Sequence, residues 1–142
     1  MDVSGEPSAQ PHSAPDRQHV VLLVDNHRDT LDSIAMVAAK ELGAVRLITA
    51  ASGQEGLAIL AKEHVDLIIT DFNLPGMNGI EFLRQARDMW PGISNLMFMA
   101  TTSGDLGQSG REKFIDAVLS KSSGVEALLR AIAESSGHDW SP

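Results

Sequence analysis

The sequence predicts an α/β fold: a doubly wound, five-stranded parallel sheet with helices on both faces. Two observations lead to this prediction. Short apolar runs, suited to strands covered on both sides, alternate with segments whose apolar residues recur at helical spacing. Strands and helices that alternate in this way form parallel sheets with right-handed crossovers. The 142 residues are enough for one such domain.

Five apolar runs are the expected strands. The first, 20–24, is continuously apolar and ends at Asp25. The third, 65–70, is the strongest strand signal and leads directly into Asp71. The other expected strands are residues 45–49, 96–100 and 117–120. Runs of this kind are typical of strands that are buried on both faces.

Four segments have helical spacing. A glycine or proline follows the first and third, and a polar residue able to accept from backbone N–H groups precedes the second and third. These segments are residues 30–42, 53–62 after the N-cap Ser52, a stretch from Asn78 to Pro91, and 125–133. Ser52 and Glu55 have the spacing of a capping box.

Residues 103–112 contain three glycines, each of which disfavours a helix by roughly 1 kcal/mol. We therefore expect the fourth helix of the fold to be short or mobile. Residues 1–18 are rich in polar residues and proline, which predicts a disordered leader. The domain is expected to span 19–135, and residues 136–142 are expected to form a flexible tail.

The net charge of −8 disfavours nucleic acid and anionic membrane surfaces as direct partners. No apolar run approaches the ~20 residues of a membrane helix, and no secretory signal is visible at the N-terminus. The chain has no cysteine, which excludes disulfides and thiolate metal sites. We expect a cytoplasmic location.

Polar residues follow several expected strands. Asp25 and Asn26 follow the first, Asp71 the third, Thr101 the fourth and Lys121 the fifth. Sites in parallel sheets form beyond the carboxyl ends of the strands, so these side chains are expected to converge. Each alone is consistent with a strand end that meets water, but the joint set favours a site.

The residue types indicate phosphoryl transfer. Two carboxylates ~4 Å apart repel by about 4 kcal/mol at an effective dielectric near 20, so they need a cation. Oxygen ligands suit Mg²⁺, and an ammonium or hydroxyl group suits a phosphoryl group. A carboxylate nucleophile would form an aspartyl phosphate.

Three stretches resemble the response-regulator receiver domain of two-component signalling. They are VLLVDN at 21–26, IITDFNLPGMNG at 68–79 and VLSK at 118–121. TAASGQEGL at 49–57 is also similar to that family, and the similarity spans about residues 20–134. The expected strand order is flavodoxin-like, 2-1-3-4-5.

The resemblance implies that Asp71 accepts a phosphoryl group from a histidine kinase or phosphotransfer protein. It implies a Mg²⁺ site formed by Asp25, Asp71 and the backbone carbonyl of Asn73, with Asn26 as a further candidate ligand. The signal would pass to a downstream protein through protein–protein contacts. The domain would then be a phosphoacceptor rather than an enzyme acting on separate substrates.

The resemblance also assigns the remaining site residues. Lys121 and Thr101 would contact the phosphate, although the alignment leaves the switch hydroxyl open by one residue. Pro75, Gly76 and Gly79 would shape the loop beside the acceptor.

The chain departs from the family pattern at three informative positions. Asn26 replaces a second acid, which predicts weaker Mg²⁺ binding. Ser122 replaces a proline and predicts a looser turn after Lys121, and Val118 replaces an aromatic switch residue. His27 lies at the rim of the proposed site, but the histidines show no ligand spacing and are interpreted as surface residues.

Other functions remain open at this point. The departures are consistent with a degenerate receiver that binds its partner without phosphorylation. An Asp-nucleophile phosphatase would want a second Asp two residues after Asp71, where the chain has Asn73. A dinucleotide enzyme would need a G-x-G-x-x-G loop after the first strand, and a flavodoxin a phosphate loop; neither is present.

Overall fold

A five-stranded parallel sheet lies at the centre of the computed structural model, which describes residues 18–100 and 115–137. The strands are β1 (His19–Val24), β2 (Val45–Ala50), β3 (Leu67–Thr70), β4 (Ser94–Met99) and β5 (Val118–Ser120). Their order is β2-β1-β3-β4-β5, and each neighbouring pair is parallel. The predicted fold class and strand order are confirmed.

Four helices lie within the described residues. They are α1 (Arg28–Glu41), α2 (Gly53–Lys62), α3 (Gly79–Met89) and α4 (Val125–Ser135). A short 3-10 turn, Lys121–Ser123, connects β5 to α4. In this part of the chain, no helix has the length and apolar character needed to span a membrane.

Several expectations fall on other residues. The glycine-rich segment 103–112, Thr101, residues 1–17 of the expected leader and residues 138–142 of the expected tail lie outside the described residues.

Each face of the sheet has its own apolar core. Alternate residues of β1 point to opposite faces, so Val21 and Leu23 join one core and Leu22 and Val24 join the other. The first core contains the buried stripes of α1 and α4, and the second those of α2 and α3. This double coverage explains why β1 and β3 are buried along almost their whole length.

Helix starts explain the main boundary differences. The structure begins α1 at Arg28 rather than at residue 30. The first turn is polar and carries no apolar spacing, so the sequence pattern does not reveal it. At α2, the Ser52 hydroxyl accepts from the Glu55 N–H, while the Glu55 carboxylate accepts from Ala51 instead of Ser52. The full capping box occurs at α3, between Asn78 and Glu81.

Candidate functional site

Three charged side chains meet at the carboxyl edge of the sheet. Asp25 and Asp71 follow β1 and β3, which are neighbours with Val24 paired to Thr70, so the two carboxylates are adjacent. Lys121 follows β5, two strands from β3 in the sheet order. Its long side chain reaches past the end of β4 to both acids.

The Lys121 ammonium donates to both carboxylates. Nζ lies 2.6 Å from Asp25 Oδ2 and 3.0 Å from Asp71 Oδ2. Asp25 is 2% exposed and Asp71 5% exposed, whereas 22% of the Lys121 side chain is exposed. The ammonium therefore offsets the repulsion between two carboxylates that have little contact with water.

The pKa of Lys121 follows from the same contacts. Burial by itself lowers the pKa of this ammonium, but its hydrogen bonds and charge interactions with Asp25 and Asp71 outweigh that effect. The pKa is raised above its ordinary value, so Lys121 is a cation at neutral pH.

The second oxygen of each carboxylate is held by nearby backbone. Asp25 Oδ1 accepts from the His27 N–H at 2.9 Å, and Asp71 Oδ1 accepts from the Phe72 N–H at 2.7 Å. The two Oδ2 atoms both accept from Lys121 Nζ and so lie close together. A group that binds beside this ammonium meets both carboxylates at once.

The loop after Asp71 turns back tightly against it. Gly76 has a φ of 83°, in the region that favours glycine. The Gly79 N–H donates to the Phe72 carbonyl at 2.6 Å, and a Cβ on Gly79 would collide with the Asp71 carbonyl oxygen. Pro75 lies exposed in the same loop. Glycine at 79 thus lets the first turn of α3 pack directly on the backbone of Asp71.

The predicted site residues are placed as follows. The structure brings Asp25, Asp71 and Lys121 into contact. Asn26 and Asn73 are exposed residues that follow Asp25 and Asp71 by one and two positions. The metal contacts of Asn26 and Asn73 stay predictions. The role of the Thr101 hydroxyl also stays a prediction, since Thr101 lies outside the described residues.

His27 is a residue that the sequence interpretation places at the rim of the site but does not count among the site residues. Its Nδ1 lies 3.0 Å from Asp25 Oδ1. Ligand atoms of Asp25, His27 and Asp71 all lie within 4.8 Å of one another. The available signal was its position two residues after Asp25, at the rim of the expected site. The oxygen-rich donor set with one nitrogen fits a small divalent cation.

The turn after Lys121 is hydrogen-bonded despite the absence of proline. The Ser122 N–H donates to Ser120 Oγ at 3.2 Å, and the two hydroxyl oxygens are 2.7 Å apart. A proline at 122 could not make the first bond because it has no N–H. The serine pair thus restrains the backbone on both sides of Lys121.

A family model of the response regulator receiver domain matches residues 21–133. The chain belongs to this family. The receiver domain superposes on a CheY-like receiver domain from Methanospirillum hungatei JF-1 with a TM-score of 0.76 and 28% identity, covering 84% of this chain and 94% of that one. CheY4 of Vibrio cholerae gives 0.73 and 28%, covering 83% and 98%.

Curated relatives are longer than this receiver domain. The virulence sensor protein BvgS of Bordetella bronchiseptica is 32% identical over an alignment of 140 positions, which covers 90% of this chain and 11% of BvgS. A response regulator receiver protein of Anaeromyxobacter sp. Fw109-5 is 31% identical over 76% of this chain and 44% of its own length. The chain therefore spans less than half of either relative.

Membership of the family establishes the class of function. This receiver domain is a signalling module of two-component signal transduction. Receiver domains as a family interact with histidine kinases and downstream effectors.

Proposed function

We propose that Asp71 accepts a phosphoryl group from a histidine kinase or phosphotransfer protein, with Mg²⁺, and that the domain then signals through protein–protein contacts. The observation that carries this proposal is the convergence of two nearly buried carboxylates on one ammonium, at 2.6 and 3.0 Å. Such a point can take a cation and an anionic phosphoryl group together.

The transfer would proceed by attack of an Asp71 carboxylate oxygen on phosphorus. The new P–O bond forms as the P–N bond of a phosphohistidine donor breaks, and the leaving imidazole takes up a proton. The Lys121 ammonium already contacts Asp71, so it would stabilise the negative charge of the phosphoryl group during transfer. The backbone N–H of Phe72 holds the other Asp71 oxygen. Mg²⁺ held by Asp25 and Asp71 would supply positive charge that offsets the negative charge of the phosphoryl group.

The other assigned residues complete the proposal. Asp25 and Asp71 would hold the cation, with the Asn73 carbonyl and the Asn26 side chain as further oxygen ligands. Thr101 follows β4 and would donate its hydroxyl to the phosphate. Pro75, Gly76 and Gly79 would keep the acceptor loop in place. A cytoplasmic location belongs to the same proposal.

Labelling by a small phosphodonor tests this function. With acetyl phosphate and Mg²⁺, we expect mass spectrometry to find one phosphoryl group, on Asp71. Asp71→Asn should abolish the label. Asp29→Asn is the matched control, since Asp29 lies exposed in the first turn of α1 near the site and should leave labelling intact.

A phosphorylation-independent binding module is the second candidate, and the uncharged, exposed Asn26 favours it. The same experiment separates the two. A wild-type protein that binds Mg²⁺ but takes no label from any donor would support this alternative. Continuous release of phosphate from a model ester would support an Asp-nucleophile phosphatase instead.

A further inference from the structure

His27 lies at the edge of the carboxylate pair, with its backbone and its ring both in contact with Asp25. We propose that His27 Nδ1 is a direct ligand of the divalent cation at this site. We further propose that this nitrogen makes the site prefer a first-row transition cation, such as Co²⁺ or Zn²⁺, over Mg²⁺. The inference rests on the cation binding proposed above and specifies its chemistry.

The distances fit ligands of one ion. An octahedral site with bonds of ~2.1 Å places neighbouring ligand atoms ~3 Å apart and opposite ones ~4.2 Å apart. His27 Nδ1 and Asp25 Oδ1 are 3.0 Å apart, and atoms of both residues lie within 4.8 Å of an Asp71 oxygen. The His27–Asp25 distance is that of neighbouring ligands of one ion, and an Asp71 oxygen lies near enough to join them.

The backbone of His27 is held beside Asp25, whereas its side chain is mostly exposed. The backbone N–H of His27 donates to Asp25 Oδ1. The side chain itself is 63% exposed and makes no capping bond to α1, although His27 is the N-cap residue. The imidazole can therefore turn toward a cation without breaking a helix cap.

The types of ligand atom at the site determine which cation it prefers. Asn26 lacks the charge of the second acid, so two carboxylates remain where the family usually has three. Imidazole nitrogen is a favourable ligand for Zn²⁺ and its neighbours in the first transition row, whereas Mg²⁺ prefers oxygen. His27 thus compensates for the lost acid only for cations that accept nitrogen.

A hydrogen bond that merely orients Asp25 is the competing explanation, and the chain contains a matched pair of that kind. His64 Nε2 lies 2.7 Å from Asp66 Oδ1, again with two residues of separation. Among the described residues, Asp25, His27 and Asp71 form the single group of three whose ligand atoms all lie within 4.8 Å of one another, and the His64 pair is not part of it. His64→Ala is therefore the control for His27→Ala.

Calorimetric titration of the full chain with Co²⁺ and with Mg²⁺ tests the inference. We expect the wild type to bind Co²⁺ about tenfold or more tightly than Mg²⁺. His27→Ala should lower the Co²⁺ affinity by about tenfold or more and change the Mg²⁺ affinity by less than about threefold. His64→Ala should change neither.

Proton NMR of the Co²⁺-loaded protein gives an independent readout of ligation. Hyperfine-shifted imidazole resonances should be present in the wild type and in His64→Ala and absent in His27→Ala. A urea titration of each variant, which we expect to match the wild type, excludes unfolding as the cause.

Three outcomes would overturn the inference. Equal losses for both cations in His27→Ala would make His27 a positioning residue, and unchanged affinities would remove it from the site. In both cases the wild type would still bind Mg²⁺ and still take the label on Asp71, so the proposed function would stand. If neither Co²⁺ nor Mg²⁺ binds to the wild type, the inference and the proposed cation site both fail.

Discussion

Lys121 is a single residue whose charge offsets the repulsion between two nearly buried carboxylates. Its ammonium contacts Asp25 and Asp71 at once, while burial limits how much water can screen the carboxylates. The stability of this edge and its readiness for a cation therefore depend on the same side chain.

Lys121→Met should destabilise the protein at neutral pH without divalent cation. We expect a loss of about 1–3 kcal/mol, less than for a fully buried pair because solvent reaches part of the lysine. Urea unfolding measures it, with Lys62→Met on the exposed end of α2 as the control. Mg²⁺ should then stabilise the variant more than the wild type, and equal stabilisation would contradict the role of Lys121.

Gly79 is a second residue whose identity is set by its contact with the acceptor. Gly79→Ala should lower the free energy of unfolding by about 1–3 kcal/mol, because the new Cβ meets the backbone of Asp71 and Phe72. Gly43→Ala meets nothing within 4 Å and serves as the control in the same urea experiment. A Gly79 variant as stable as the control would show that the loop can shift freely.

At the scale of elements, α2 and α3 pack closely because α2 carries a glycine at their contact. A Cβ on Gly56 would lie 2.9 Å from Phe82 Cε1 and 3.2 Å from Val24 Cγ2. Phe82 is fully buried and belongs to the same core as Val24. The small residue thus sets how near α2 can come to α3 and β1.

A double-mutant cycle tests this packing. Gly56→Ala should destabilise the protein, and Phe82→Leu should cost less in that background than in the wild type, because the smaller side chain leaves room for the new methyl group. We expect a coupling of about 1 kcal/mol from urea unfolding. Strict additivity of the two changes would mean that the helices simply move apart.

At the scale of the whole molecule, anything that binds the folded site stabilises the whole domain. The site draws on residues after β1, β3 and β5, which come together only when the sheet is assembled. A ligand of this site therefore binds the folded chain and not the unfolded one, and its binding energy adds to the free energy of unfolding.

Beryllofluoride with Mg²⁺, which mimics a phosphoryl group, should raise the unfolding temperature of the wild type. The expected stabilisation is about 2.7 kcal/mol at a concentration one hundred times the dissociation constant. Calorimetry should show no such shift for Asp71→Asn and a full shift for Asp29→Asn. A shift that persists without the Asp71 carboxylate would place the ligand elsewhere.

The element boundaries show where sequence patterns are informative and where they stop. The apolar run 65–70 predicts one strand, but β3 begins at Leu67 although Val65 is also buried. An apolar side chain reports burial, whereas a strand is defined by pairing with a neighbour, and the two do not begin at the same residue. The same reason explains why α1 starts earlier than its apolar pattern.

Three properties of this protein could be predicted from the order of its residues alone: the alternation of strands and helices, the two-sided burial of the sheet and the placement of acids and lysine at strand ends. These properties follow from local spacing and burial, which neighbouring residues encode. Three contacts are visible only in the folded chain: Lys121 bridges Asp25 and Asp71, the His27 ring contacts Asp25, and Gly79 packs on the backbone of Asp71. Those contacts depend on strand order, on the reach of a side chain and on the path of a loop, which join residues up to 96 positions apart.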